Sequence, residues 1–112
     1  MGRGEYLGEF EQVVLLAVAR LKDEAYGMRV REEIENRAGR RATIGAVYAT
    51  LERVVSKGLA RETDLPGGDE RSGLARRFYE ITPAGMAALE DARALQARMW
   101  SGLKLRADRR RS

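Results

Sequence analysis

The fold that we predict for this chain follows from residues 43–58, TIGAVYATLERVVSKG. Thr43 is a favourable N-cap, and the apolar residues between Ile44 and Val55 recur every three or four positions, as one face of a helix requires. Gly58 ends the helix. The opposite face is small at its start and cationic towards its end, which suits close approach to an anionic surface. That outward face consists of Ala46, Ala49, Thr50, Arg53 and Lys57.

Two more helices precede this segment. Apolar residues recur at helical spacing over residues 8–21 and again from Gly27 to Ala38. The polar stretch Lys22–Ala25 is a turn between them, and Gly39 is placed as a C-terminal cap. The chain therefore begins with three consecutive helices.

After the third helix the periodicity changes from helical to extended. Residues 59–65 and 75–81 are short segments that favour strands, and a Gly-rich loop separates them. Thr82 and Pro83 are a typical N-cap and first helical residue, so a fourth helix starts there. Its apolar stripe is wide for a helix that ends the chain, which predicts dimerisation through Leu89, Ala92, Gln96, Met99 and Leu103.

Three helices followed by a two-stranded hairpin is the order of a winged helix-turn-helix. The predicted fold class is mainly α with a small β-hairpin, completed by a C-terminal dimerisation helix. We assign residues 1–82 to the winged-helix domain and residues 83–106 to the dimerisation helix. Residues 107–112 are expected to be a disordered basic tail, whose arginines either add non-specific DNA affinity or serve solubility.

Composition excludes most catalytic chemistry. The 112 residues contain no Cys and no His, which removes disulfides, Cys/His zinc sites and every mechanism that uses imidazole or thiolate. We therefore expect no enzyme activity, no cofactor and no metal. No apolar run is long enough to span a bilayer, so we expect a cytoplasmic protein associated with the nucleoid.

The positive charge is concentrated around the third helix. The net charge of the chain is +4, but residues 36–61 hold six basic residues and one acidic residue. Residues 9–35, by contrast, hold seven acidic and four basic residues. This asymmetry predicts that the third helix faces an anionic partner such as DNA.

Several segments together resemble the PadR family of bacterial transcriptional regulators. They are LGEFEQVVLLAVARL, AYGMRVREEIE, GAVYATLERVVSKGL and RRFYEITPAGMAAL, which lie in the family's order and cover about residues 6–103. The resemblance implies a winged-helix homodimer that binds operator DNA, usually as a repressor. The single C-terminal helix resembles the short branch of the family.

The resemblance also implies roles for particular residues. Tyr48 would contact the DNA backbone, although packing at the edge of the buried face explains it equally well. Thr43 and Gly45 would form the entry to the recognition helix, and Arg76 and Arg77 the basic exit from the wing. The expected DNA-binding residues are Thr43, Gly45, Ala46, Tyr48, Ala49, Thr50, Arg53, Lys57, Arg71, Arg76 and Arg77.

Some family members release DNA when they bind aromatic or drug-like compounds. Trp100 either packs in the dimer interface or stacks on such an effector. The expected dimer interface comprises Phe10, Val14, Leu89, Ala92, Gln96, Met99, Trp100 and Leu103. The expected effector pocket comprises Phe10, Val14, Met99 and Trp100.

The predicted function is that of a sequence-specific DNA-binding regulator, most simply a homodimeric repressor of an inverted-repeat operator. The alternative is a winged-helix module that binds proteins and has no specific DNA target. That alternative requires an apolar outward face on the third helix, and the sequence predicts a cationic one.

Overall fold

The helices and the hairpin occur in the predicted order. The structure, a computed structural model, describes residues 7–63 and 77–105. Arg71, Arg76 and the predicted tail 107–112 lie outside the described residues. The elements are α1 (Glu9–Leu21), a 3₁₀ turn (Lys22–Glu24), α2 (Gly27–Ala38), α3 (Ile44–Ser56), β1 (Ala60–Thr63), β2 (Phe78–Ile81) and α4 (Pro83–Trp100).

Local capping accounts for the helix boundaries. The Oγ1 atom of Thr43 accepts a hydrogen bond of 3.0 Å from the amide of Ala46 at the start of α3. Thr82 accepts an equivalent bond of 3.0 Å from the amide of Gly85 at the start of α4. Gly39 follows α2 with φ of 64°, the left-handed conformation that favours glycine. These three boundaries confirm the prediction from sequence.

Two adjoining clusters of apolar side chains form the core. The larger cluster joins α1, α2 and α3, and Tyr79 of β2 closes it. The smaller cluster joins α1 and α3 to the hairpin and to the start of α4. Each large aliphatic side chain contributes roughly 1.5–3 kcal/mol when fully buried. The largest fully buried side chains are Leu15, Ile34, Leu51, Val14, Val18, Val30, Val47 and Val54.

The hairpin is attached to the helices through the turn between α1 and α2. Strands β1 and β2 are antiparallel, with Ala60 opposite Ile81. The amide of Tyr79 donates a hydrogen bond of 2.8 Å to the carbonyl of Ala25, and Tyr26 forms an antiparallel bridge with Phe78. The rings of Tyr26 and Phe78 meet edge to face, with their centroids 5.4 Å apart. This attachment was not predicted from the sequence.

Helix α4 extends away from the body of the protein. Gly85 and Ala88 are buried, whereas every residue from Arg93 to Trp100 is exposed. The helix ends at Trp100, and Gly102 turns the chain with φ of 75°. The predicted helix over residues 83–106 was therefore too long, because a glycine that favours left-handed backbone follows closely after Trp100. Leu103 consequently lies beyond the helix.

Two negative findings concern the described residues only. Within residues 7–63 and 77–105, no three acidic side chains come together as a metal site would require. Among the same residues, none of the helices has the length and apolar character needed to cross a membrane.

Candidate nucleic-acid interface

The buried face of α3 is wider than its apolar residues indicate. Val47, Thr50, Leu51 and Val54 are its buried residues. Thr50 is 4% exposed, so the prediction that it faces outward is wrong. The physical reason is that α1, α2 and β1 all contact α3 and together cover a broad arc of its surface.

The solvent face of α3 is correspondingly rotated. It comprises Gly45, Ala46, Tyr48, Ala49, Glu52, Arg53 and Ser56. Glu52 and Ser56 were not expected there. Thr50 follows Val47 by three positions and precedes Val54 by four, so helical spacing alone could have placed it on the buried face. The outward face is small near its start and carries both signs of charge near its end.

Tyr48 connects α3 to the beginning of α2. Its side chain is 40% exposed, and its ring occupies the space that a side chain on Gly27 would need. A Cβ atom built on Gly27 would lie 2.7 Å from Cε1 of Tyr48, which is closer than carbon atoms approach without strain. Tyr48 therefore packs on Gly27 and is also accessible from solvent, so both roles considered for it remain compatible with its position.

The turn before α3 is held by side chains of α2. Arg31 donates a hydrogen bond of 2.9 Å from Nε to the carbonyl of Ala42. Glu35 accepts one of 3.2 Å from the amide of Ala42. These contacts orient Thr43 and the free amides at the start of α3, where the helix dipole attracts anions. Arg41 is exposed beside them, and it forms no ion pair with any residue that the structure describes.

Most cations of the basic segment 36–61 form ion pairs with acidic residues of the same chain. Arg40 lies 2.7 Å from Glu9, and its guanidinium stands 5.0 Å from the ring centroid of Phe10. Other pairs join neighbouring helical turns or opposite strands. They are Arg37 with Glu33 at 3.2 Å and Arg61 with Glu80 at 3.0 Å. The local excess of positive charge in the sequence is thus largely compensated by tertiary contacts.

Glu11 compensates the remaining cations at the end of α3. Its side chain is only 8% exposed, and Nζ of Lys57 donates to both of its carboxylate oxygens, at 3.1 and 3.0 Å. Arg53 reaches to 3.9 Å from the same carboxylate. The amide of Gly8 donates a further hydrogen bond of 2.8 Å to it. Lys57, expected to face DNA, is therefore engaged within the protein.

The pKa of Glu11 reflects these opposing influences. Burial raises the pKa of the carboxyl, because the charged form loses hydration. The hydrogen bonds from Gly8 and Lys57, together with the positive charges of Lys57 and Arg53, outweigh burial and lower the pKa below its ordinary value. Glu11 is therefore ionised at neutral pH.

The described base of the wing is also ion-paired. Arg77 lies 3.5 Å from Glu62 across the hairpin, and its side chain is 62% exposed. Tyr79 beside it is buried, and burial together with the charge of Glu62 raises the pKa of its hydroxyl. Arg77 is thus the described part of the predicted basic exit from the wing.

The second half of α4 carries an exposed apolar surface. Met99 is 71% exposed and Trp100 is 53% exposed. The indole Nε1 of Trp100 donates a hydrogen bond of 3.3 Å to Gln96, one turn earlier. We call this the α4 surface, which consists of Ala92, Leu95, Gln96, Met99 and Trp100 and continues the buried side formed by Gly85 and Ala88.

The residues of α1 that were assigned to the dimer interface and the effector pocket lie deeper than expected. Val14 is 0% exposed and belongs to the larger core cluster. Its assignment to an interface or a pocket is therefore wrong, because its surface is already covered by the same chain. Phe10 is partly buried against that cluster and contacts Arg40. Leu89 likewise packs partly against the smaller cluster.

Residues 15–91 match the family model described as the transcriptional regulator PadR-like family. The chain belongs to this PadR-like family. The resemblance seen in the sequence is thereby confirmed. PadR-like proteins are transcriptional regulators.

Individual relatives agree with this placement. The PadR-like chain is 40% identical over 77 residues to the transcriptional regulator Rv3488 of Mycobacterium tuberculosis. The aligned part is 66% of this chain and 65% of that relative, slightly less than two-thirds of its length.

Solved structures support the fold. RosR of H. salinarum superposes with a TM-score of 0.66 at 27% identity, covering 94% of this chain and 84% of that one. F93 from STIV, described as a winged-helix DNA-binding protein, superposes with a TM-score of 0.67, covering 89% of this chain and 100% of its own. At 16% identity, the likeness to F93 concerns the fold alone. The predicted winged-helix class is confirmed.

Proposed function

We propose that this PadR-like chain is a homodimeric repressor that binds an inverted-repeat operator through α3. The observation that carries the proposal is the solvent face of α3. Gly45, Ala46 and Ala49 leave room for base edges to approach the helix, while Arg53 is 54% exposed at its far end. Arg41 adds an exposed cation before the helix begins. Guanidinium groups suit phosphates and guanine, and small side chains allow a helix to enter the major groove.

The dimer in this proposal is formed by the α4 surface. A helix that exposes Leu95, Met99 and Trp100 on the continuation of its buried side has an incomplete apolar contact. A second copy related by two-fold symmetry would complete it, since the same surface then serves both subunits. Such a dimer would place its two α3 helices on half-sites roughly 34–36 Å apart, one turn of DNA.

We propose that a planar aromatic effector binds near Trp100 and Met99. An indole face and a thioether provide a flat, adaptable apolar site for a planar compound. Phe10 of α1, partly buried against the larger core cluster, stays in this proposal, whereas Val14 is excluded by its burial in the core. Release of DNA by such a compound would follow if it changes the distance between the two α3 helices.

The decisive experiment is a binding titration at several salt concentrations. It compares the DNA upstream of the gene that encodes the chain with a scrambled duplex of equal length. A preference of about a thousandfold for the upstream DNA is expected of a specific regulator. Equal and steeply salt-dependent binding to both duplexes would contradict an operator there, and absence of DNA binding would favour a winged-helix module that binds proteins.

A further inference from the structure

The ion pairs around α3 are of two kinds. Arg61 and Glu80 are 65% and 54% exposed in their pair, and Glu9, the partner of Arg40, is 74% exposed. Such surface pairs contribute little to stability and exchange easily for other partners. A DNA phosphate can therefore replace the acid in these pairs at little cost.

The pair between Glu11 and Lys57 differs because its carboxylate cannot turn into solvent. The Glu11 side chain is 8% exposed, and the backbone amide of Gly8 fixes its Oε1 atom at 2.8 Å. The ammonium of Lys57 meets both oxygens, and only 29% of the lysine side chain is exposed. Withdrawal of Lys57 would leave a buried charge with fewer partners, which is costly.

Lys57 otherwise stands where a DNA contact would be expected. It is the residue that directly follows α3, and Arg53, one turn earlier, is drawn towards the same carboxylate at 3.9 Å. Contacts to phosphates do not depend on base sequence, so each one strengthens binding to every duplex. If Lys57 is kept from contacting phosphates, the affinity of the protein for DNA of any sequence is lower.

We propose that Glu11 is a positioning residue that withholds Lys57 from DNA phosphates and so limits the sequence-independent affinity of the protein. This inference rests on the proposed DNA-binding function. It assigns to α1, which lies outside the recognition helix, a direct influence on the electrostatics of the interface.

The test measures salt-dependent binding of full-length Glu11→Gln to a scrambled duplex. The amide oxygen of glutamine can still accept the hydrogen bond from Gly8, so the start of α1 keeps its cap. A freed Lys57 should raise the magnitude of the salt slope by about 0.9. The loss of affinity between 50 and 200 mM salt should then be roughly threefold greater than for the wild type.

Three variants accompany this measurement. Glu90→Gln is the matched control, because Glu90 is exposed on α4 and the substitution removes the same charge at a position away from α3. This variant should keep the wild-type salt slope. The double variant Glu11→Gln/Lys57→Gln should cancel the increase, which a general loss of structure would not do. Glu11→Asp keeps the negative charge on a shorter side chain, so its salt slope should lie between those of the wild type and Glu11→Gln. This variant provides the test if circular dichroism shows that Glu11→Gln folds poorly.

The outcomes separate the two proposals. If the wild type binds DNA and the salt slope is unchanged in Glu11→Gln and Glu11→Asp, the role of Glu11 is overturned while the proposed DNA-binding function stands. An increase that persists in the double variant would also overturn it, since Lys57 would not be its source. Failure of the wild type and all variants to bind any duplex would overturn the proposed function and this inference with it.

Discussion

The ring of Tyr48 on α3 occupies the space that a side chain on Gly27 of α2 would need. The first residue of one helix thereby sets the position of an exposed aromatic residue on the next. Tyr48 is 40% exposed, so this contact links the internal packing of the helix-turn-helix to its outer surface.

Substitution Gly27→Ala should move Tyr48 with little effect on stability. The clashing atoms belong to the outer end of the Tyr48 side chain, which can rotate away. We expect the free energy of unfolding to change by less than about 1 kcal/mol. DNA affinity should fall roughly 2- to 10-fold, the equivalent of one hydrogen bond. Tyr48→Phe removes the hydroxyl and keeps the ring. Equal DNA affinity of the wild type, Gly27→Ala and Tyr48→Phe would show that Tyr48 makes no contact with the DNA backbone.

Substitution Gly85→Ala should be far more damaging. A Cβ atom on Gly85 would collide with the carbonyl oxygen of Leu59 and lie 2.8 Å from Cγ1 of Ile81. Backbone cannot rotate away, so we expect a loss of about 1–3 kcal/mol in urea denaturation. Gly45→Ala is the control, because no atom lies within 4 Å of a Cβ there. A Gly85→Ala protein as stable as Gly45→Ala would contradict the close packing of α4 on the hairpin.

The pH dependence of stability should contain a contribution from Glu11. Its pKa is lower in the folded protein than the ordinary value of 4.5, so the stabilisation is complete above that value. It is lost as the pH falls through the folded pKa. At pH 7 we expect Glu11→Gln to be about 1–2 kcal/mol less stable than the wild type.

Urea denaturation at pH 7 and near pH 3 tests this expectation. The difference in unfolding free energy between the wild type and Glu11→Gln should be smaller at the lower pH. Glu90→Gln should be as stable as the wild type at both pH values. A gap of the same size at both values would mean that the charge of Glu11 contributes nothing.

Neutralisation of Arg53 should weaken DNA binding without unfolding the protein. Arg53 is 54% exposed, and its guanidinium is as far as 3.9 Å from the carboxylate of Glu11. Because this ion pair is long and exposed, Arg53 remains available to a phosphate. Arg53→Gln should reduce the magnitude of the salt slope by about 0.9. Arg93→Gln, an exposed arginine on α4, serves as the control. The same slope in both variants would remove the end of α3 from the DNA interface.

Charge on the α4 surface should abolish the proposed dimer. Met99 is 71% exposed, so Met99→Glu should preserve the fold of the monomer while placing two carboxylates in a symmetric contact. Sedimentation should then show a monomer, whereas Ala94→Glu, on the opposite side of α4, should remain dimeric. A dimer of undiminished stability in Met99→Glu would mean that the interface lies elsewhere.

The sequence alone was sufficient for the order and limits of most elements. Thr43, Thr82 and Gly39 act on their own helix ends through contacts within a few residues, so their effect can be deduced locally. The spacing of apolar residues likewise predicts which helices form and in what order. The chain's regulator family was also visible in its motifs.

Which charges are free and which side of α3 is covered depend on how the helices pack, and the sequence pattern does not show it. Arg40 meets Glu9 across 31 residues, and Lys57 meets Glu11 across 46 residues. A count of charges along the chain sees neither contact, because acids of α1 reach the basic segment only after the helices pack. Thr50 became buried for the same reason: the neighbouring elements, and not the polarity of its own side chain, determine how much of α3 remains open to a partner.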